Sequence, residues 1–233
     1  MKMEKEIKSK SGYVMLIVEF VIVALVITGI TLFKHPVFLI GVLLFLFVLP
    51  GFFIVNPNGS KVLTLFGEYK GTVKANGFFW ANPFYKKQKI SLRARNFDSE
   101  RLKVNDKLGN PILISVILVW RVQDTYRAAF DVDKYEEFVR VQTDAAVRKL
   151  SGRYAYDSFD ELNENEVTLR SGLGEVNDAL EDEISERMAM AGIEVLEARI
   201  GYLAYAPEIA SSMLKRQQAV AIVAARKKIV EGA

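Results

Sequence analysis

The sequence predicts an α+β protein with an N-terminal membrane helical hairpin, antiparallel strands with packed helices, and a C-terminal coiled-coil-like helix. Three observations carry this prediction. Two apolar runs, residues 14–32 and 37–55, are separated by little more than Lys34, His35 and Pro36. Up to about Val122 the following segments read as strands, and beyond it the apolar spacing becomes mainly helical. From Pro207 onward the chain is alanine-rich, with apolar residues spaced as on one stripe of a helix.

Residues 1–12, "MKMEKEIKSKSG", carry four lysines and two glutamates and read as a mobile cytoplasmic lead. Each apolar run has about the ~20 residues needed to cross a ~30 Å hydrocarbon core. Helices are therefore expected over about 14–33 and 37–55, within a membrane hairpin covering 13–56. Lys34, His35 and Pro36 form its turn: a three-residue connection suits antiparallel helices, and Pro36 suits the first turn of the second helix. A shallower re-entrant loop, bending at Pro50 and Gly51, would place the ends on the same side. "FKHP" after Leu32 is no small-residue cleavage site, which argues against a signal peptide. Lys2 rules out myristoylation, and the absence of cysteine rules out prenyl and palmitoyl anchors. The positive lead and the basic stretch after Val55 both favour the cytoplasm, so the hairpin is read as returning the chain to the side it left. Glu19 is the one ionisable group inside the first run. Such a carboxylate is costly enough to be a functional candidate, although it lies close enough to the start of the run to reach the interface.

"NPNG" (56–59) is a turn cluster that opens the soluble part. Strands are expected at "SKVLTLF" (60–66), "KISLRARNF" (89–97), "RLKVND" and "PILISVILVWRV" (111–122), with a hairpin connection through Gly109 and Asn110. A helix follows over 131–152, with Tyr135, Phe138, Gln142, Ala146 and Leu150 on one face and Gly152 as its stop. "SFDE" (158–161) has the form of a capping box, opening a helix that carries Leu169, Leu173, Val176, Leu180, Ile184 and Met188. "GIEVLEARIGYLAY" (192–205) returns to strand character before the last helix.

Composition removes several chemistries. Without cysteine there is no thiolate nucleophile or cysteine zinc site, and the single histidine, His35, lies at the membrane turn. A net charge of +3 does not suggest nucleic acid, and no glycine-rich phosphate loop is present. No catalytic, cofactor-binding or metal site is assigned. An enzyme would have to use unspecific aspartates such as Asp106 and Asp124.

Charge is segregated along the chain. Lys61, Lys70, Lys74, Lys86, Lys87 and Lys89 lie in a basic stretch after the hairpin and are candidates to meet anionic lipid headgroups, at ~1 kcal/mol each near a surface. Residues 157–188 are acidic, and the final helix is basic again. Such opposed charges could set register between copies. Met213, Val220, Val223 and Val230, with Arg226 and Lys227 as charge partners, are the candidates for self-association; packing within their own subunit is the competing reading.

The order of elements from Gly51 onward resembles the SPFH or band 7 superfamily of stomatins, prohibitins and flotillins. "VNPNGSKVLTLFGEYKGTVKANGFFWANPF" is similar to its opening pattern, and "VNDKLGNPILISVILVWRVQDTYRAAFDV" to its central hairpin, strand and helix entry. "AAVRKLSGRYAYDSF" and "AGIEVLEARIGYLAYAPEIASSMLKRQQA" fit its later helix step and its closing strand and helix. Leu108 to Asn110 stand where the family more often has Asp-Gly, leaving the turn type open. The resemblance implies an SPFH/band 7 domain over 57–206 and the start of an oligomerisation helix over 207–233, which the family usually continues. It further implies a non-enzymatic, membrane-embedded scaffold in the inner or plasma membrane, its soluble domain cytoplasmic. Such scaffolds form large homo-oligomeric rings or cages and organise membrane microdomains. They regulate client membrane proteins, which in bacteria often include a membrane-bound ATP-dependent protease. The alternative is a membrane-tethered subunit of a transporter, channel or enzyme complex.

Overall fold

A computed structural model describes residues 4–33, 39–157 and 167–232. Lys34, His35 and Pro36 lie outside the described residues, as does the Ser158 to Glu161 capping box. The chain forms two compact units, Met1–Arg93 with Val122–Asp133, and Ala94–Arg121 with Lys134–Ala233.

The first unit begins with a short strand, β1 (Lys10–Ser11), that leads into α1 (Gly12–Phe33). At 1.5 Å per residue, 22 residues make a helix about 33 Å long. It is the one helix among the described residues long and apolar enough to cross a membrane, and only 11% of its apolar window is buried. A core helix would be covered by its own protein, so this exposure argues against that reading.

The second apolar run departs from expectation. Helix α2 covers Leu39–Val48, a single 3-10 turn follows over Leu49–Gly51, and Phe52–Val55 is a strand, β2. Pro50 withdraws a backbone donor and ends the helix. The "FFIV" beyond it is aromatic and β-branched, and joins a sheet. The helix expected over 37–55 is thus at least four residues shorter at its C-terminal end.

Strands β3 (Gly59–Leu65), β4 (Glu68–Val73), β5 (Gly77–Trp80) and β6 (Lys86–Ser91) complete the unit's sheets. One sheet has the order β4-β3-β6 and the other β1-β5-β2. Phe53, Val55, Leu63, Val73 and Ala81 form a shared buried cluster, with Ile7, Phe79 and Tyr85 packed against it. The expected strand over 89–97 is two strands, broken between Ser91 and Arg95. The turn at "NPNG" forms as expected: the Gly59 N–H donates to the Asn56 carbonyl at 2.9 Å, and Asn58 has φ of 55°.

The described part of the lead, from Glu4 onward, is bound to the sheet rather than mobile as expected. The Ile7 N–H donates to the Thr72 carbonyl at 3.0 Å, and the Thr72 N–H donates to the Lys5 carbonyl at 2.8 Å. Gly71, at φ 149°, makes room for this crossing. A Cβ there would lie 2.8 Å from both the Ile7 side chain and the Lys5 carbonyl oxygen. Glu4 pairs with Lys74 at 2.7 Å and accepts from the Thr125 hydroxyl at 2.5 Å. A short helix, α3 (Thr125–Phe130), closes the unit.

In the second unit β9 (Pro111–Val122) matches its predicted range and pairs with β7 (Arg95–Asp98) and β8 (Leu102–Asn105). Strand β10 (Ile193–Tyr205) flanks β9 on its other side. Helix α4 (Tyr135–Ser151) buries Val139, Thr143, Ala146, Val147 and Leu150. The expected face began from the aromatics Tyr135 and Phe138. The observed stripe is turned by about one residue, following 3.6 residues per turn. Helix α5 (Leu173–Met188) buries Val176, Leu180, Ile184 and Met188, as expected. Leu169 is buried in a turn before the helix and Leu173 is half-exposed, because Gly172 caps the helix there. The final helix, α6 (Pro207–Glu231), carries Pro207 in its first turn. This is an α+β fold: an apolar N-terminal helix, antiparallel sheets with packed helices, and a C-terminal helix.

Candidate membrane interface

The strand before α1 and the strand after α2 are tied to one and the same strand. Lys10 and Ser11 of β1 lie opposite Trp80 and Phe79 of β5, and Phe52 and Phe53 of β2 lie opposite the same two residues on the other side. The chain therefore leaves for α1 and returns from α2 at the same level of one sheet. Side chains reinforce the return. The Trp80 indole N–H donates to the Val48 carbonyl at 3.1 Å, satisfying an acceptor left open at the helix end. The Lys87 ammonium donates to the Pro50 carbonyl at 2.6 Å. Burial, and then the neighbouring Lys61 charge, pull the Lys87 ammonium below the usual lysine range.

Aromatic rings extend the apolar surface of the helices onto the sheet edge. Phe47 of α2 meets Phe84 edge-on at 5.3 Å, and Phe84 meets Phe66 at 6.0 Å. Phe66 is 87% exposed at the tip of the β3–β4 hairpin. It sits at φ 49°, beside Gly67 at φ 87°. Positive φ at both central positions belongs to tight two-residue turns that favour Asn-Gly, so Phe66 is strained. Phe66→Asn is expected to stabilise the chain by about 1 kcal/mol, read as a higher melting temperature in detergent. An unchanged or lower value would contradict this account of the turn. A large, exposed aromatic joined to Phe84 and Phe47 is a candidate to meet a lipid interface.

The six candidate lysines divide by position. Lys86 and Lys87 lie beside the aromatic tip, at the end of β6 nearest Phe84, whereas Lys89 is about 10 Å further along the strand. Lys89 faces Lys61 directly across the β3–β6 register, a like-charged pairing that costs stability. These two form no ion pair among the described residues, and with Ile54 and Asn56 they line a pocket of about 280 Å³. Lys70 is paired with Glu68 at 2.6 Å, and Lys74 with Glu4.

The candidates on α6 also divide. Met213 and Val220 are half-buried, in line with Gln217, which donates to Asp157 at 3.1 Å within the second unit. Val223 and Val230 are 63% and 76% exposed. Leu214, Ile222 and Ile229 are exposed too and were missed by the sequence reading. Ala219, Ile222, Val223, Arg226, Ile229 and Val230 recur at three- and four-residue intervals, so they share one helix face.

The aspartates an enzyme would have needed do structural work. The Asp106 carboxylate accepts from the Leu108 and Asn110 N–H groups, the Asn110 side chain and the Tyr156 N–H. Asp124 caps α3 by accepting from the Arg127 N–H at 3.1 Å. No group of three or more potential metal ligands occurs among the described residues.

No curated protein matches the chain. The family model described as SPFH domain / Band 7 family matches residues 53–232. That match starts inside β2 and takes in β3 to β10 and α3 to α6, leaving the lead, β1, α1 and α2 outside it. The chain belongs to the SPFH domain / Band 7 family.

Proposed function

We propose that this chain is a self-associating scaffold anchored in the inner or plasma membrane, with its lead and its SPFH domain on the cytoplasmic face. The family is membrane-associated and generally scaffolding rather than enzymatic, which supports the coarse reading. The observation that carries the anchoring is the pairing of β1 and β2 with the same residues of β5. Ends tied at one level belong on one side of the bilayer, so α1 and α2 enter it and return.

Among the described residues the return leg is short. The apolar helical stretch Ile40–Gly51 is 12 residues, about 18 Å, against about 33 Å for α1. Phe47, Phe66 and Phe84 then rest at the interfacial level, with Lys86 and Lys87 beside the headgroups. Lys61 and Lys89 form a further site for anionic headgroup phosphates, which would relieve their mutual repulsion.

Confinement to one surface turns weak lateral contacts into stable assembly through high effective concentration. The exposed stripe of α6 supplies those contacts, with Arg226 and Lys227 meeting acidic residues of neighbouring copies. Rings or cages built this way gather lipid and client membrane proteins into microdomains, a membrane-bound ATP-dependent protease being one such client.

The natural absence of cysteine makes the sidedness simple to test. Single cysteines replace Ser9 in the lead and Asn58 in the turn after β2. An impermeant maleimide should label neither in sealed cells and both in inverted membrane vesicles. Labelling of one but not the other would break the hairpin reading. Labelling of both from outside would move the domain off the cytoplasmic face.

A further inference from the structure

Glu19 plays no part in the interface described above. It lies seven residues into α1, about 10 Å along the helix from Gly12. It is 5% exposed, and both carboxyl oxygens are buried without a hydrogen-bond partner. The same residue lines a cavity of about 350 Å³. Phe20, Phe45 and Leu49 wall this space on the helical side, and Phe52 and Phe78 wall it on the sheet side. The last two rings are stacked at 5.4 Å with an interplanar angle of 11°.

We propose that this cavity holds a single lipid-like amphiphile, its apolar body among the phenylalanines and its polar end, a hydroxyl or an ammonium, displacing the side chains that cover the Glu19 carboxyl and donating to it. Three observations converge on such a ligand. The volume falls at the lower end of small-molecule sites, about 300–1,000 Å³, and is too small for a partner helix about 10 Å wide. The lining is otherwise apolar, which selects a hydrocarbon body. The orphaned carboxyl needs a donor, because a buried polar group without a partner is costly and more so within a membrane. The Phe52–Phe78 wall belongs to the strands that tie down the hairpin, so the cavity lies at the membrane boundary. An amphiphile seated there keeps its polar end near headgroup depth.

The test uses the full chain, one copy per phosphatidylcholine nanodisc, and equilibrium binding of radiolabelled dodecanol, dodecylamine and dodecane. The wild type should retain about one equivalent of dodecanol or dodecylamine above empty discs, and whichever binds identifies the head group. Glu19→Leu should bind that amphiphile roughly tenfold more weakly, the factor a hydrogen bond to a strongly polar group supplies. Dodecane binding should be the same in both proteins. A melting temperature for Glu19→Leu no lower than the wild type would show that the hairpin survives the change, as expected when an unpaired carboxyl is removed. Equal amphiphile binding by wild type and Glu19→Leu, or no binding of either amphiphile by wild type, would overturn the proposal.

Discussion

Asp106→Ala is expected to lower the stability of the chain by about 3–4 kcal/mol, one of the largest effects of any single substitution on its polar side chains. Asp106 is 4% exposed, and its two oxygens accept four hydrogen bonds at 2.8–3.1 Å. Two of these close the turn between β8 and β9, where Gly109 takes φ of 82°. The bond from the Tyr156 N–H ties that turn to the segment after α4. Alanine would leave several part-buried donors without their acceptor, each costing up to about 1–3 kcal/mol before relaxation. Asp106→Asn retains one good acceptor and should lose about half as much. Thermal melting of the detergent-solubilised proteins measures both. Near-wild-type stability for Asp106→Ala would mean that the turn is held by its backbone alone.

Glu183→Ala is expected to cost about 2 kcal/mol. Glu183 lies on α5 with its side chain 8% exposed, accepting from Lys149 of α4 at 2.6 Å and from Arg187 at 2.8 Å. Breaking a fully buried pair costs about 3–5 kcal/mol. Here Lys149 is 49% exposed and Arg187 29%, so both cations regain water and the loss is smaller. Burial alone would raise the Glu183 carboxyl, but hydrogen bonds from Lys149 and Arg187 outweigh it and hold the group below its usual value of 4.5. A carboxyl lowered in the folded state contributes its stability above the unfolded value, and loses it as pH falls below about 4.5 through the folded value. The melting-temperature gap between wild type and Glu183→Gln should therefore be full at pH 7 and shrink below pH 4.5. A gap that stayed constant down to pH 3 would contradict the ion pairing.

The long, strongly patterned elements were legible in the sequence. The β-branched run of β9, the return to strand at β10 and the proline opening α6 need only local chemistry to be placed. The strands that tie down the hairpin were hidden for different reasons. "FFIV" continues an apolar helix pattern without a break in hydrophobicity, and only Pro50 and Gly51 mark the change. Two-residue β1 carries no pattern at all, because its partner Trp80 is some seventy residues away. The same distance concealed the Glu4–Lys74 pair, so a lead that looks mobile by composition is bound to the sheet. At α6 the apolar residues surround most of the helix, and only the fold separates Met213 and Val220 from the exposed Ile222, Val223, Ile229 and Val230. Glu19 stood out at once as a charge in an apolar run. That it lacks a partner and lines a cavity required the packing of α1, α2, β2 and β5.

The central claim is that an anchored SPFH domain assembles with copies of itself. Electron microscopy and mass measurement of the chain extracted from membranes in mild detergent test it most directly. The account predicts particles of many copies, closed into rings or cages. A homogeneous monomer or dimer would contradict it.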